Sequence, residues 1–141
     1  MIRVALNETV KSPLPRLVIK KIIQRAARFE PRLRGMADVT IVGKEKMRQL
    51  NKQWRGLDKS TDVLSFAWSE DQKYHGKSLG EIYLCPAVLK PQAKRFKVPY
   101  KEEFTRMLVH GLLHLVGHDH DSKKKAAKMF TLQEKIVKKL C

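Results

Sequence analysis

The chain predicts an α+β fold in one domain spanning residues 1–141, a small sheet with helices packed on its faces. Three observations carry that reading. Strand-like and helix-like periodicities follow one another in the order β-α-β-α-β-β-α-α-α. The helix predicted over residues 100–116 is apolar nearly all round from 104 onward, which marks a buried central helix. A length of 141 residues is enough to bury a core without staples, and no linker or second domain is expected.

Residues 2–6 alternate apolar and polar side chains as a strand does, and Pro13 and Pro15 then break the chain. A helix begins near Pro15, whose fixed φ suits a first turn, and runs to about Phe29 on Leu17, Ile22, Ile23, Ala26 and Phe29, where Pro31 stops it. Residues 37–42 read as a β-branched strand closed by Gly43, and residues 44–55 as a helix with Met47 and Leu50 inward. Two further strands, 61–67 and 79–85, flank a polar loop holding Ser69, Glu70, Asp71, Lys73, His75 and Gly76, in which His75 reads as a surface residue. A helix over 86–96 follows, with Pro91 expected to delay its start and Val98-Pro99 to break it. The last helix, from about Asp121, where Asp121 or Ser122 can cap, to Leu140, turns Ala127, Phe130, Ile136 and Val137 toward the core. The sequence contains no internal repeats.

Thirty Lys and Arg against fourteen Asp and Glu leave a formal charge of +16. Such an excess attracts polyanions at long range, so RNA, DNA or a ribonucleoprotein is the natural partner class. Basic residues recur at Arg16, Lys20, Lys21, Arg25 and Arg28, at Lys94, Arg95 and Lys97, and along the last helix from Lys123 to Lys139. The N-terminus has no long apolar segment or small-residue cleavage site, and no apolar run approaches the roughly 18 residues of a membrane span. A soluble cytoplasmic protein without a membrane partner is expected. Cys85 and Cys141 form neither a disulfide framework nor a CxxC pair, and no role is assigned to them.

The most informative run is His110-Gly111-Leu112-Leu113-His114-Leu115-Val116-Gly117-His118-Asp119-His120. On a helix His110 and His114 project from one face a turn apart, the spacing two ligands of one metal ion need. Gly117 falls where the helix should stop and turn back, which lets His120 swing in as a third ligand. The same grid of histidines and glycine is the metal scaffold of metzincin proteases, but their general-base Glu is Gly111 here. A metalloprotease is therefore disfavoured. Three neutral imidazoles suit zinc or a related divalent ion, one per chain, with an open fourth position. With no carboxylate ligand the full dication faces the substrate, which favours an anionic phosphodiester. His118, two residues from His120, is expected to point elsewhere and to pack or hydrogen bond near the site.

A second unusual stretch runs from Leu50 to Phe66. Arg55 stands at a predicted helix end beside Gly56, so its guanidinium can either reach a phosphate bidentately or balance the helix dipole. Asp62 can orient backbone or serve as a carboxylate base. The segments HGLLHLVGHDH, LNKQWRGLDKSTDVLSF and Leu79-Gly80-Glu81-Ile82-Tyr83 together resemble the YbeY family, bacterial metal-dependent endoribonucleases tied to ribosomal RNA maturation. The likeness runs from about residue 36 to residue 120 in the family's order, and the pattern H-G-x-L-H-L-x-G-x-D-H is met at every defined position.

The resemblance implies a mixed four-stranded sheet with helices, zinc ligation by His110, His114 and His120, and an RNA-facing role for Arg55. It further implies single-stranded regions of ribosomal RNA as substrate and proteins of the small ribosomal subunit as partners. Trp54, Leu57, Ser60, Glu81 and His118 depart from residues common in the family. Those departures throw a phosphate contact onto Arg55 and Lys59. The expected function is a zinc-dependent endoribonuclease acting in ribosome assembly or quality control. An RNA-binding assembly factor with a structural metal is the alternative. Asp62, Glu81 and Asp119 remain open as proton-transfer partners.

Overall fold

Alternating burial along the strands and apolar stripes along the helices produce the expected order in the computed structural model, which describes residues 2–68 and 78–140. The elements are β1 (Ile2–Glu8), α1 (Arg16–Phe29), β2 (Gly35–Ile41), α2 (Lys44–Arg55), β3 (Val63–Ala67), β4 (Ser78–Leu84), α3 (Pro86–Arg95), α4 (Tyr100–Leu115) and α5 (Lys123–Leu140). The four strands form one mixed sheet in the order β1-β2-β4-β3, in which β1, β2 and β4 run parallel and β3 is antiparallel at the edge. The fold is α+β, as the sequence predicts. The loop residues Ser69, Glu70, Asp71, Lys73, His75 and Gly76, and the terminal Cys141, lie outside the described residues.

Because side chains alternate across a strand, the two faces of the sheet collect different partners. Ala37, Val39, Ile41, Ile82 and Leu84 join Ile19, Ile23, Leu89, Phe104, Leu108 and Leu112 in the larger core cluster, which places α1, α3, α4 and α5 on one face. Leu64 meets Met47 and Leu50 of α2 in a smaller cluster with Val42 and Cys85 on the other. The pairing of Ser65 with Ile82 assigns Val63, Ser65 and Ala67 to the α4 side, and Leu64 and Phe66 to the α2 side.

Two glycines set how near α4 comes to the sheet. A Cβ on Gly111 would lie 3.1 Å from Cγ2 of the fully buried Ile82. At Gly80 the backbone has φ +147°, and a Cβ would lie 2.0 Å from the carbonyl oxygen of Phe66 and 2.8 Å from Leu115. Only glycine fits this bulged point, where the β2 to β4 register also shifts.

Several expectations need correction. Leu17 is 66% exposed, and Ile19 takes the buried position in α1 beside Ile22, Ile23 and Ala26. Helix α5 is rotated from the expected phase: Ala127 and Phe130 are exposed, while Met129 and Gln133 point inward with Ile136 and Val137. Pro91 does not delay α3, which starts at Pro86. The N–H that Pro91 lacks would have met the carbonyl of Ala87, and both residues are exposed, so that carbonyl is open to solvent. Among the described residues no helix is long and apolar enough to cross a membrane.

Gly80→Ala should lower unfolding free energy by about 3 kcal/mol or more, since positive φ and backbone overlap act together. Gly111→Ala should change it by no more than about 1 kcal/mol, because helix propensity offsets the contact with Ile82. Urea unfolding of both variants checks this; a Gly80→Ala protein as stable as the parent would refute the account of the bulge.

Candidate metal centre

The site is built at the end of α4. His110 and His114 stand one turn apart, and the helix then closes with His118 N–H donating to the Leu113 carbonyl (3.0 Å) and Gly117 N–H to that of His114 (3.1 Å). These are the paired bonds of a Schellman turn, made possible by Gly117 at φ +95°. The reversal brings His120 back onto the helix. Ring centroids are 4.7 Å apart for His110 and His114, 5.3 Å for His114 and His120, and 6.1 Å for His110 and His120. One ring nitrogen from each of the three lies within 4.8 Å of the others, a set that could hold a metal ion. Three imidazoles fit zinc or another borderline divalent ion better than a hard one.

Burial and neighbours prepare the set. Nδ1 of His110 lies 2.7 Å from Oε1 of Gln133, an acceptor, so Nδ1 carries the proton and Nε2 keeps its lone pair. Desolvation lowers the pKa of His110, and it lowers that of His114 to about 4, aided by the adjacent His110 and His120. His114 is thus neutral at pH 7. His120 lies at the exposed rim, its backbone N–H bonded to the Asp119 carboxylate at 2.7 Å.

His118 points away from the cluster, as expected. It is 8% exposed, and its Nε2 lies 2.8 Å from Oε2 of Glu30 and 2.9 Å from Nη2 of Arg32. Arg32 holds that carboxylate through Nε at 3.1 Å, Nη2 at 3.0 Å and its backbone N–H at 3.1 Å. The Arg32 guanidinium is the main reason that the Glu30 carboxyl sits at about 2. This clamp ties the turn before His120 to the end of α1. Neither Glu30 nor Gln133 was singled out from sequence. Gln133 had one signal, a polar residue in the stripe of Met129, Ile136 and Val137; Glu30 had only its place between basic residues at a helix end.

The histidines open on a cavity of 530 Å³ bordered by Arg55 and Trp54 of α2, by β3 and by Asp119. Arg55 ends α2 at Gly56, which is left-handed at φ +71°, and among the described residues it forms no ion pair. It stands in the last turn of α2 and borders the cavity. Lys59 is exposed and lies outside the cavity lining. Asp62 borders the cavity, but its oxygens accept from Val63 N–H (2.8 Å) and from Gln92 Nε2 (3.0 Å). Glu81 pairs with Phe66 on the α2 side of the sheet and is not among the residues that line the cavity; its carboxylate accepts from the Tyr83 hydroxyl at 3.4 Å. Cys85 is buried and its thiol pKa is raised by burial, which leaves it without a reactive thiolate.

A mixed sheet carrying a buried helix that ends in three convergent histidines, beside an arginine without an ion pair among the described residues, defines an α+β protein with a site that could hold a metal ion. The family model described as Endoribonuclease YbeY matches residues 5–141, and the chain belongs to that family. Similar curated proteins include Endoribonuclease YbeY of Sulfurihydrogenibium sp., 45% identical over 103 residues, and that of Persephonella marina, 42% identical over 104; each comparison spans 72% of this chain and 68% of the relative. A solution structure of a Thermotoga maritima protein superposes with a TM-score of 0.66 at 28% identity, covering 99% of this chain and 89% of that one.

For metal-free protein, stability should fall with acid in two windows. The His114 pKa is depressed, so its contribution is complete above the ordinary 6.5 and is lost as pH falls through about 4. The Glu30 contribution is complete above the ordinary 4.5 and is lost as pH falls toward about 2. Glu30→Gln should cost about 2 kcal/mol at pH 6, allowing for the half-exposed Arg32, and should flatten the lower window. Urea unfolding at stepped pH reads both. A variant curve parallel to the parent below pH 4.5 would remove the clamp.

Proposed function

We propose that this chain is a zinc-dependent endoribonuclease that cuts single-stranded regions of ribosomal RNA during ribosome maturation or quality control. The observation that carries the reading is the convergence of His110, His114 and His120 beside Arg55 on an open cavity, in a member of the Endoribonuclease YbeY family. The charge of +16 supports RNA as the substrate class. Work in the cytoplasm beside small ribosomal subunit proteins belongs to the same proposal.

In this scheme His110, His114 and His120 hold one divalent ion, and Gln133 keeps His110 in the tautomer that leaves Nε2 free. Arg55 grips a phosphate oxygen pair at the cavity wall, and Lys59 meets the RNA backbone outside it. A bound zinc ion would stabilise charge developing on the phosphate and lower the pKa of a water. Asp119 is the proposed proton acceptor: it borders the cavity and accepts through Oδ1 from His120 N–H, whereas Asp62 is engaged at both oxygens by Val63 and Gln92.

His114→Ala should lose stoichiometric zinc by metal analysis and lose cleavage of a labelled single-stranded RNA. Arg55→Ala should keep its zinc and lose about tenfold to a hundredfold in kcat/KM, as expected for removing one charged phosphate contact. Full cleavage by zinc-free His114→Ala protein, purified from contaminating nuclease, would refute the metal's role. Parent protein that binds RNA with zinc bound but never cleaves it would point instead to an assembly factor with a structural metal. A 2′,3′-cyclic phosphate on the product would identify the RNA 2′-hydroxyl as the attacking group.

A further inference from the structure

A second cavity, of 490 Å³, lies between α3, α4 and α5 and shares Asp62, Met107 and His110 with the cavity of the histidines. Its edge carries Phe96, 62% exposed, and Phe130, 51% exposed. Phenyl rings left in water forgo a large burial gain, and here both do so at one opening. Trp54, 62% exposed, borders the first cavity. Among the described residues these are the aromatic side chains more than half exposed, and all of them border the two adjoining cavities.

The chemistry of the second cavity excludes a phosphate. Its guanidinium, Arg106, is committed to Glu102 at 3.3 Å, Glu103 at 2.9 Å and Glu134 at 3.0 Å. Its amides are engaged as well: Gln92 donates to Asp62 and Glu103, and Gln133 bonds to His110 and Glu134. What remains on offer is aromatic surface and no spare cation. An uncharged flat ligand suits it. The first cavity is the complement, with Arg55 free of any ion pair among the described residues.

We propose that the cavity between α3, α4 and α5 is a nucleobase subsite, in which Phe96 and Phe130 stack on the base of a nucleotide next to the one at the histidine cluster. The proposal rests on the endoribonuclease reading and adds where the strand goes. Phosphate lies beside Arg55 and the histidines, and the neighbouring base turns into the phenyl-edged cavity across the wall made by His110 and Met107. Trp54 offers a stacking face on the far rim of the first cavity. A base inside a duplex cannot be stacked on protein side chains, so a site of this kind accepts unpaired strands and tolerates any base.

The test uses zinc-loaded protein and a fluorescein-labelled single-stranded RNA with 2′-O-methyl riboses, confirmed intact on a gel after each titration. Phe96→Ala and Phe130→Ala should each weaken binding about tenfold with zinc content unchanged, and Phe→Trp at either position should restore it. An abasic scan of the RNA should find one position where base removal costs the parent about tenfold and costs the alanine variants little. Unchanged affinity in both variants, or additive losses at every abasic position, would overturn the subsite. Unchanged RNA affinity together with lost binding to a ribosomal protein would reassign the patch and also overturn it. If the parent cleaves RNA and no coupled position exists, the subsite alone fails. If coupling exists and the parent never cleaves, the nuclease reading fails and the subsite stands.

Discussion

The close seating of α4 on the sheet is the constraint from which the site follows. Gly111 rests so close to Ile82 that even a Cβ would stand at 3.1 Å, and Gly80 lets Leu115 and the edge strand close over the same contact. With Gly111 directed at the sheet, the roll of the helix is set. At about 100° per residue, His110 and His114 then lie roughly 100° and 60° round the same side of α4, facing the cavity rather than the core. Nine of the sixteen residues of α4 are buried, so the roll cannot drift without exposing the core.

This seating also changes the meaning of Gly111. In sequence it is the place where a metzincin would carry its general base. In the fold it is a packing position, because Ile82 occupies the space into which a Glu would have to extend. The absence of a base there and the closeness of helix to sheet are therefore one fact, and proton transfer has to come from groups reaching the cavity from elsewhere. The third histidine of the cluster depends on a separate device. His120 sits on an exposed turn after the helix, and the Glu30 clamp on His118 holds that turn from behind, over 88 residues of sequence.

Much of this was legible in the sequence because it is local. The i, i+4 histidines, the glycine that closes the helix and the order of elements are encoded within a few residues of where they act. Helix phase was less legible: α1 carries Leu17 and Val18 beside Ile19, and α5 carries Phe130 beside Met129, so apolar residues occupy both faces and only the partner surface decides. Glu30 and Gln133 were not legible, since each acts through a histidine far along the chain, 88 and 23 residues away. Lys59 lies close in sequence to Arg55, yet the turn after Gly56 leaves it outside the cavity.

The charge of the protein poses a final question of balance. A net charge of +16 opposes a dication at the histidines only at short range, because at physiological salt charges are screened beyond about 8 Å. An ion held there would therefore sense the groups around the cavity, where Asp62 and Asp119 offset Arg55, and where desolvation has already left His114 neutral and its lone pair available. A polyanion is different, because it engages many surface cations at once and each adds to the attraction. The same basic surface would thus draw nucleic acid strongly while affecting metal affinity little, and in the proposed scheme selection among RNA strands would fall to the cavities at the end of α4.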